Sequence, residues 1–159
     1  MTRLAITGHR GLPPMTENLI DTALRGTLTQ RAYPELVGLS CLADGVDSLF
    51  AQAVLDAGGT LIVIVPATQY RDGLPENHHP TYDAILQQAT NVIRLDHTES
   101  DPQAHMDASL CMIDEADELI AVWDGEPARG YGGTADVVAA AEDRAVPVTI
   151  IWPDGATRD

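Results

Sequence analysis

The sequence predicts an α/β fold: a single-domain, doubly wound parallel sheet of about six strands with helices on both faces. Three observations predict it. Short apolar runs alternate with stretches of helical periodicity along the chain, six of the first and five of the second. The run 60–66 is almost unbroken in branched apolar residues, the pattern of a strand buried on both faces. The length, 159 residues, is that of one domain, and a 45% apolar content is enough for a core.

The elements follow in order. Residues 3–7 form a strand ended by Gly8. Residues 13–32 form a helix that opens on proline, with Thr16 as candidate cap and Leu19, Ile20, Ala23 and Leu24 at helical spacing. Residues 35–42 are the second strand. Residues 45–59 are a helix with Leu49, Ala53 and Val54 on one side and a glycine stop. After the strand 60–66 comes a polar loop, 67–80. Then follow helix 81–89, strand 91–95, helix 102–116, strand 118–123, helix 133–144 and strand 146–152, with a polar tail. No linker, repeat or low-complexity tract interrupts this pattern, so residues 1–159 are read as one domain.

The formal charge is −15, from 24 acidic and 9 basic residues. Every basic residue is arginine. Between Asp96 and Ala128 there is no basic side chain, whereas acids run from Glu99 to Glu126. A broad nucleic-acid face needs a basic stripe, so no nucleic acid is expected as partner. A small anion site remains open, because one or two arginines suffice. The absence of lysine excludes a P-loop lysine and Schiff-base chemistry. No apolar run approaches the roughly 20 residues of a membrane span, so no membrane partner is expected. The first residues show no signal-peptide pattern, which points to the cytoplasm. Cys41 and Cys111 lie among apolar residues in no metal-like spacing and read as reduced core thiols. His78 and His79 have no third ligand in register. No metal or cofactor is expected.

In a doubly wound sheet, ligands bind beyond the carboxyl ends of the strands. Three of the loops there carry glycine at a sharp strand-to-helix turn: "TGHRGLP" from Thr7, "LADGVD" from Leu42 and "DGEPARGYGGT" from Asp124. Such turns expose backbone N–H groups at a positive helix end. Arg10 and Arg129 lie in two of them and offer a fork that fits phosphate. The dinucleotide fingerprint G-x-G-x-x-G is absent, because the first loop has glycines only at 8 and 11.

These motifs, with "ADELIAVWDG" before the last loop and "ADVV" after it, resemble the SLOG superfamily. Its members include the DNA-processing protein A (Smf) fold and the "Lonely Guy" phosphoribohydrolases. The resemblance spans Thr7 to about Pro153. It implies a Rossmann-like fold that binds nucleotides or nucleotide-derived ligands at this edge. It puts Gly8, His9 and Arg10 on one wall of the site and Asp44 and Gly45 on another. Gly132, Gly133 and Thr134 would hold phosphate, with Arg129 and Gly130 beside them. It also implies a homodimer, through the small residues of helix 133–144 (Ala135, Val138, Ala139, Ala140) or the acidic helix before it.

The departures from the enzymes are specific. Lonely Guy proteins carry PGGxGTxxE and an arginine on the preceding helix. Aligning Gly133-Thr134 with the family's GT puts Val137 at the glutamate, and residues 105–112 hold no arginine. Asp136 is one residue early, about 100° around the helix. Catalytic candidates that remain are Asp136, Asp44 and His9. Asp44 and Asp124 also read as turn residues before glycine. Asp136 also reads as an acid favoured at a helix start, or as a partner for a ribose hydroxyl. Tyr131 and Trp123 could stack on a base, Trp123 being the more core-facing. The expected function is therefore a non-catalytic module for a nucleotide or other phosphate-bearing small molecule. A phosphoribohydrolase (N-glycosidase) with altered catalytic residues is the alternative.

Overall fold

Six strands form one all-parallel sheet in the computed structural model, which describes residues 1–158. The strands are β1 (Thr2–Gly8), β2 (Leu36–Ser40), β3 (Thr60–Val65), β4 (Asn91–Arg94), β5 (Glu118–Val122) and β6 (Val148–Ile151). The helices are α1 (Pro14–Arg31), α2 (Val46–Asp56), α3 (His79–Leu86), α4 (Pro102–Glu115) and α5 (Thr134–Asp143). The spatial order is β4-β3-β2-β1-β5-β6. The chain therefore steps outward from β1 to β4, crosses back along α4, and continues on the other side of β1. The order reverses between β1 and β5, which pair in register from Leu4–Glu118 to Gly8–Val122. A crevice at the carboxyl end of a sheet belongs at such a reversal.

Strand alternation sorts the core into two layers. Leu4, Ile6, Ile120 and Val122 face α1 and α2, meeting Ile20, Leu24, Phe50 and Val54. Ala5 and Leu119 join the layer that holds Met112, Ile113, Val137 and Ala141 of α4 and α5. Four of the six β3 residues are buried, as its branched run predicts.

Local differences from the sequence reading have local causes. Thr16 does not cap α1: Pro13 occupies the cap position, and the buried Thr16 Oγ1 accepts the Thr157 N–H at 3.0 Å instead. The helix read at 45–59 stops at Asp56, and Gly58 takes φ +83° beyond it. The loop read at 67–80 holds a single 3₁₀ turn, Glu76–His78, and α3 starts at His79 with Pro80 in its first turn. On α5, Val138 and Ala140 are buried and Ala139 is exposed. Among the described residues no helix is long and apolar enough to cross a membrane.

Candidate functional site

The loops after β1 and β5 enclose a cleft of about 300 Å³ at the reversal point. Its β1 side is Thr7, Gly8, His9 and Arg10. Its β5 side is Arg129, Gly132, Gly133 and Thr134. The structure thus brings together seven of the ten residues expected to bind. Gly130 is in the same turn but does not line the cleft. Asp44 and Gly45 line a separate depression with Pro75 and His78.

Backbone bonding decides what the glycine turn can offer. Asp136 Oδ2 accepts the Gly132 N–H at 2.9 Å, and Gly130 O accepts the Gly133 N–H at 3.2 Å. Both glycine donors are therefore turned inward, and the Asp136 carboxylate is committed to the turn. The N–H groups of Thr134 and Ala135, the first two of α5, receive no protein acceptor among the described residues. The donors left for an anion are thus those of the helix start. Gly132 is needed for its φ of +85°. Val137 is 1% exposed and belongs to the core.

His9 is 6% exposed and ties the two loops together. Its Nε2 accepts the Asp124 N–H at 3.4 Å, its Nδ1 lies 3.5 Å from Thr134 Oγ1, and its ring meets Trp152 edge-on. Burial, then the Arg158 charge, lower its pKa against the opposing pull of Asp124, so the ring is neutral at pH 7. Burial pushes Asp124 up, but the Glu126 N–H, Arg158 and His9 outweigh it and hold its pKa below the ordinary value. Trp123 is half-buried and donates from Nε1 to Glu126 O at 2.8 Å, while Tyr131 is exposed.

Three arginines reach the cleft. The Arg10 guanidinium is shared with Asp44 Oδ1 at 2.8 Å. Arg129 is exposed and makes no ion pair among the described residues. Arg158 lies 3.3 Å from Asp124 with a side chain 14% exposed. The sequence reading passed over Arg158 as part of a polar tail. Its signal is topological: β6 neighbours β5, so the chain leaving β6 emerges at the same edge, and Thr157 pins that segment to α1. His78 and His79 bond to Leu42 O and Leu74 O respectively. Cys41 is buried and Cys111 half-buried, both free.

No protein-family model matches the chain. No curated protein is significantly similar to it. Solved structures are similar in fold. DNA processing protein A from Streptococcus pneumoniae superposes with a TM-score of 0.70 at 18% identity, covering 98% of this chain and 52% of that one. The chain therefore spans about half the length of that protein. DNA processing protein A from Helicobacter pylori, described by its single-stranded DNA binding mode, gives 0.69 at 18%, covering 98% and 68%. The molybdenum cofactor binding protein from Rippkaea orientalis gives 0.63 at 17%, covering 96% and 77%. The chain shares with these proteins a Rossmann-like fold, an all-parallel sheet flanked by helices, as the alternation of strands and helices implies.

One expectation is corrected by this likeness. Net charge was read as excluding nucleic acid, yet the H. pylori protein of the same fold binds single-stranded DNA. The physical reason is that net charge averages over the surface. Here three of the nine arginines gather at one cleft of a chain with charge −15.

Proposed function

We propose that the chain is a ligand-binding domain whose cleft takes the phosphate of a nucleotide or nucleotide-derived small molecule. One observation carries this reading: the start of α5, whose Thr134 and Ala135 N–H groups are free, adjoins a cleft lined by Thr134, Arg10, Arg129 and Arg158. Helix-start donors and arginine forks are the two common protein answers to a phosphate. His9, neutral and buried, holds the β1 loop against Thr134 and keeps both sets of donors in place. Binding without turnover is favoured because Asp136 already serves Gly132, and Val137 offers no acid. Calorimetry with ribose 5-phosphate tests the reading: saturable binding is expected, and heats no larger than those of dilution would refute it. Release of free base from a nucleoside monophosphate would instead establish the phosphoribohydrolase alternative.

A second reading has its own support. The cleft is open, and the H. pylori relative in fold binds single-stranded DNA. A phosphodiester could occupy the same arginines. Anisotropy with labelled oligothymidylate decides between them. Binding that weakens steeply with salt and competes with ribose 5-phosphate would favour the strand.

A further inference from the structure

A second, smaller cavity of about 120 Å³ adjoins the cleft. The two share Thr7, Gly8, Arg10 and Gly132, so a ligand held in the cleft has this chamber beside it. Its other walls include Cys41 and Ala43 after β2, Asp47 in the first turn of α2, Tyr70, and His105 and Ser109 of α4.

The polar groups of this chamber are unusually idle. The Asp47 carboxylate receives one protein hydrogen bond among the described residues, from the Ala43 N–H at a long 3.4 Å. The hydroxyls of Tyr70, 4% exposed, and of Ser109 make none. No sealed side-chain polar atom among the described residues lacks a partner. These groups are therefore not buried errors but open onto the chamber. The loop between β2 and α2 beside it is tightly bonded: Ser40, Ser48 and His78 all hold the backbone of Leu42. A helix start that is held rigidly and yet leaves its carboxylate unmatched on a cavity wall is built to meet something else.

The electrostatics agree. Burial, against the pull of Arg10 and with Asp44 adding to it, pushes the Asp47 carboxyl up to about 7. Arg10 does not neutralise it, because that guanidinium is paired with Asp44. Cys41 and Tyr70 are both pushed up by burial and stay neutral. His105 is lowered by burial and then by Arg10, and is neutral too. A ligand with N–H donors would supply what Asp47 lacks. The size is restrictive: the chamber, at about 120 Å³, is smaller than an apolar cavity of about 150 Å³ that admits benzene, so it takes the edge of a flat ring, and any fused ring stays on the side it shares with the cleft.

We propose that this chamber is the ring subsite of the same ligand, taking the six-membered ring of a fused nitrogen heterocycle whose two adjacent N–H donors meet the Asp47 carboxylate and whose carbonyl oxygen meets the Tyr70 or Ser109 hydroxyl. Guanine-type and pterin-type rings both carry that edge; adenine does not. Its position beside the phosphate rests on the function proposed for the cleft, but its chemistry stands apart.

The experiment is calorimetry on the wild type and Asp47→Asn with ribose 5-phosphate, GMP, AMP, guanosine and neopterin. GMP should bind about 10- to 100-fold more tightly than ribose 5-phosphate, and more tightly than AMP. Asp47→Asn should erase that advantage and leave ribose 5-phosphate unchanged. From about pH 6 to about pH 8 the wild-type advantage should grow as the carboxyl ionises, and the Asn variant should be flat. Tyr70→Phe should weaken GMP less than Asp47→Asn does, and serves as the second variant if the latter melts early. Guanosine against neopterin separates the two ring sources. Retention of the GMP preference in Asp47→Asn would overturn the proposal, as would equal binding of AMP. If ribose 5-phosphate alone fails to bind, the phosphate reading falls. Asp47-dependent binding of guanosine or neopterin would then sustain the chamber by itself, and no binding by either would end it.

Discussion

Gly45, between β2 and α2, has φ +89°, and a Cβ there would lie 2.8 Å from the His9 carbonyl oxygen. Gly132, before α5, has φ +85°, and a Cβ there would reach Pro102 O only at 3.3 Å. In sequence both are glycines of a sharp turn after a strand, and both read as walls of one site. In the fold the first lets α2 close on the β1 loop, where the Val46 N–H points to His9 O at 3.5 Å. The second turn projects into the cleft and leaves the Thr134 and Ala135 donors free. What separates a packing glycine from a cradle glycine is the neighbour its missing Cβ makes room for. That neighbour belongs to another loop, far away in sequence.

The sharpest break between the two turns should come from Gly45→Val. It forces a branched residue into a glycine-only conformation and drives Cβ into backbone. Strain and overpacking together should cost about 4 kcal/mol of stability. Denaturant unfolding measures it, and a loss well under about 1 kcal/mol would show that the close approach relaxes. Gly133→Val is the counterpart. Its Cβ would meet Ala128 Cβ at 2.9 Å and Gly130 O at 3.3 Å, within an exposed loop that can shift. Ribose 5-phosphate affinity should drop at least about 100-fold as the helix-start donors are displaced. The melting temperature should move little. Unchanged affinity would refute the cradle.

This contrast also marks what was legible in the chain. Period and turn chemistry are local, so six strands, five helices and the glycine turns could be read directly. The pairing of the β1 and β5 loops followed from the edge they share. The inward use of the Gly132 and Gly133 N–H groups could not be read, because it depends on Asp136 turning back onto its own turn. Arg158 was missed because it reaches the cleft from beyond β6 and is held there by Thr16, 141 positions from its partner Thr157. Asp47 was missed for the same kind of reason. It looks like an ordinary acid in a helix's first turn, and only the approach of Tyr70 and α4 makes it a cavity wall.

Arg158 sharpens the comparison on the cleft side. Arg158→Ala removes a charged donor from a position 14% exposed. It should cost about 1.5–3 kcal/mol of ribose 5-phosphate affinity. Because Asp124 would lose its partner, part of the loss should be recovered in Asp124→Asn/Arg158→Ala by a double-mutant cycle. An affinity unchanged by Arg158→Ala would mean the guanidinium serves Asp124 alone.

The smallest effect tests the other turn, and its sign matters more than its size. Asp44 was expected to contact the ligand, yet it lies in the separate depression and holds Arg10 at 2.8 Å. If Asp44 bound the ligand, Asp44→Asn would weaken binding. If it restrains Arg10, the same change frees a guanidinium that lines both cavities. Asp44 is 19% exposed and Arg10 45%, so the pair is screened and its net worth is at most about 1 kcal/mol. Ribose 5-phosphate should therefore bind slightly more tightly to Asp44→Asn, by up to about fivefold. The gain should vanish in the Arg10→Ala background, because there is then no guanidinium to release. A loss of affinity in the single variant would return Asp44 to the ligand's own surroundings and make the two turns alike after all.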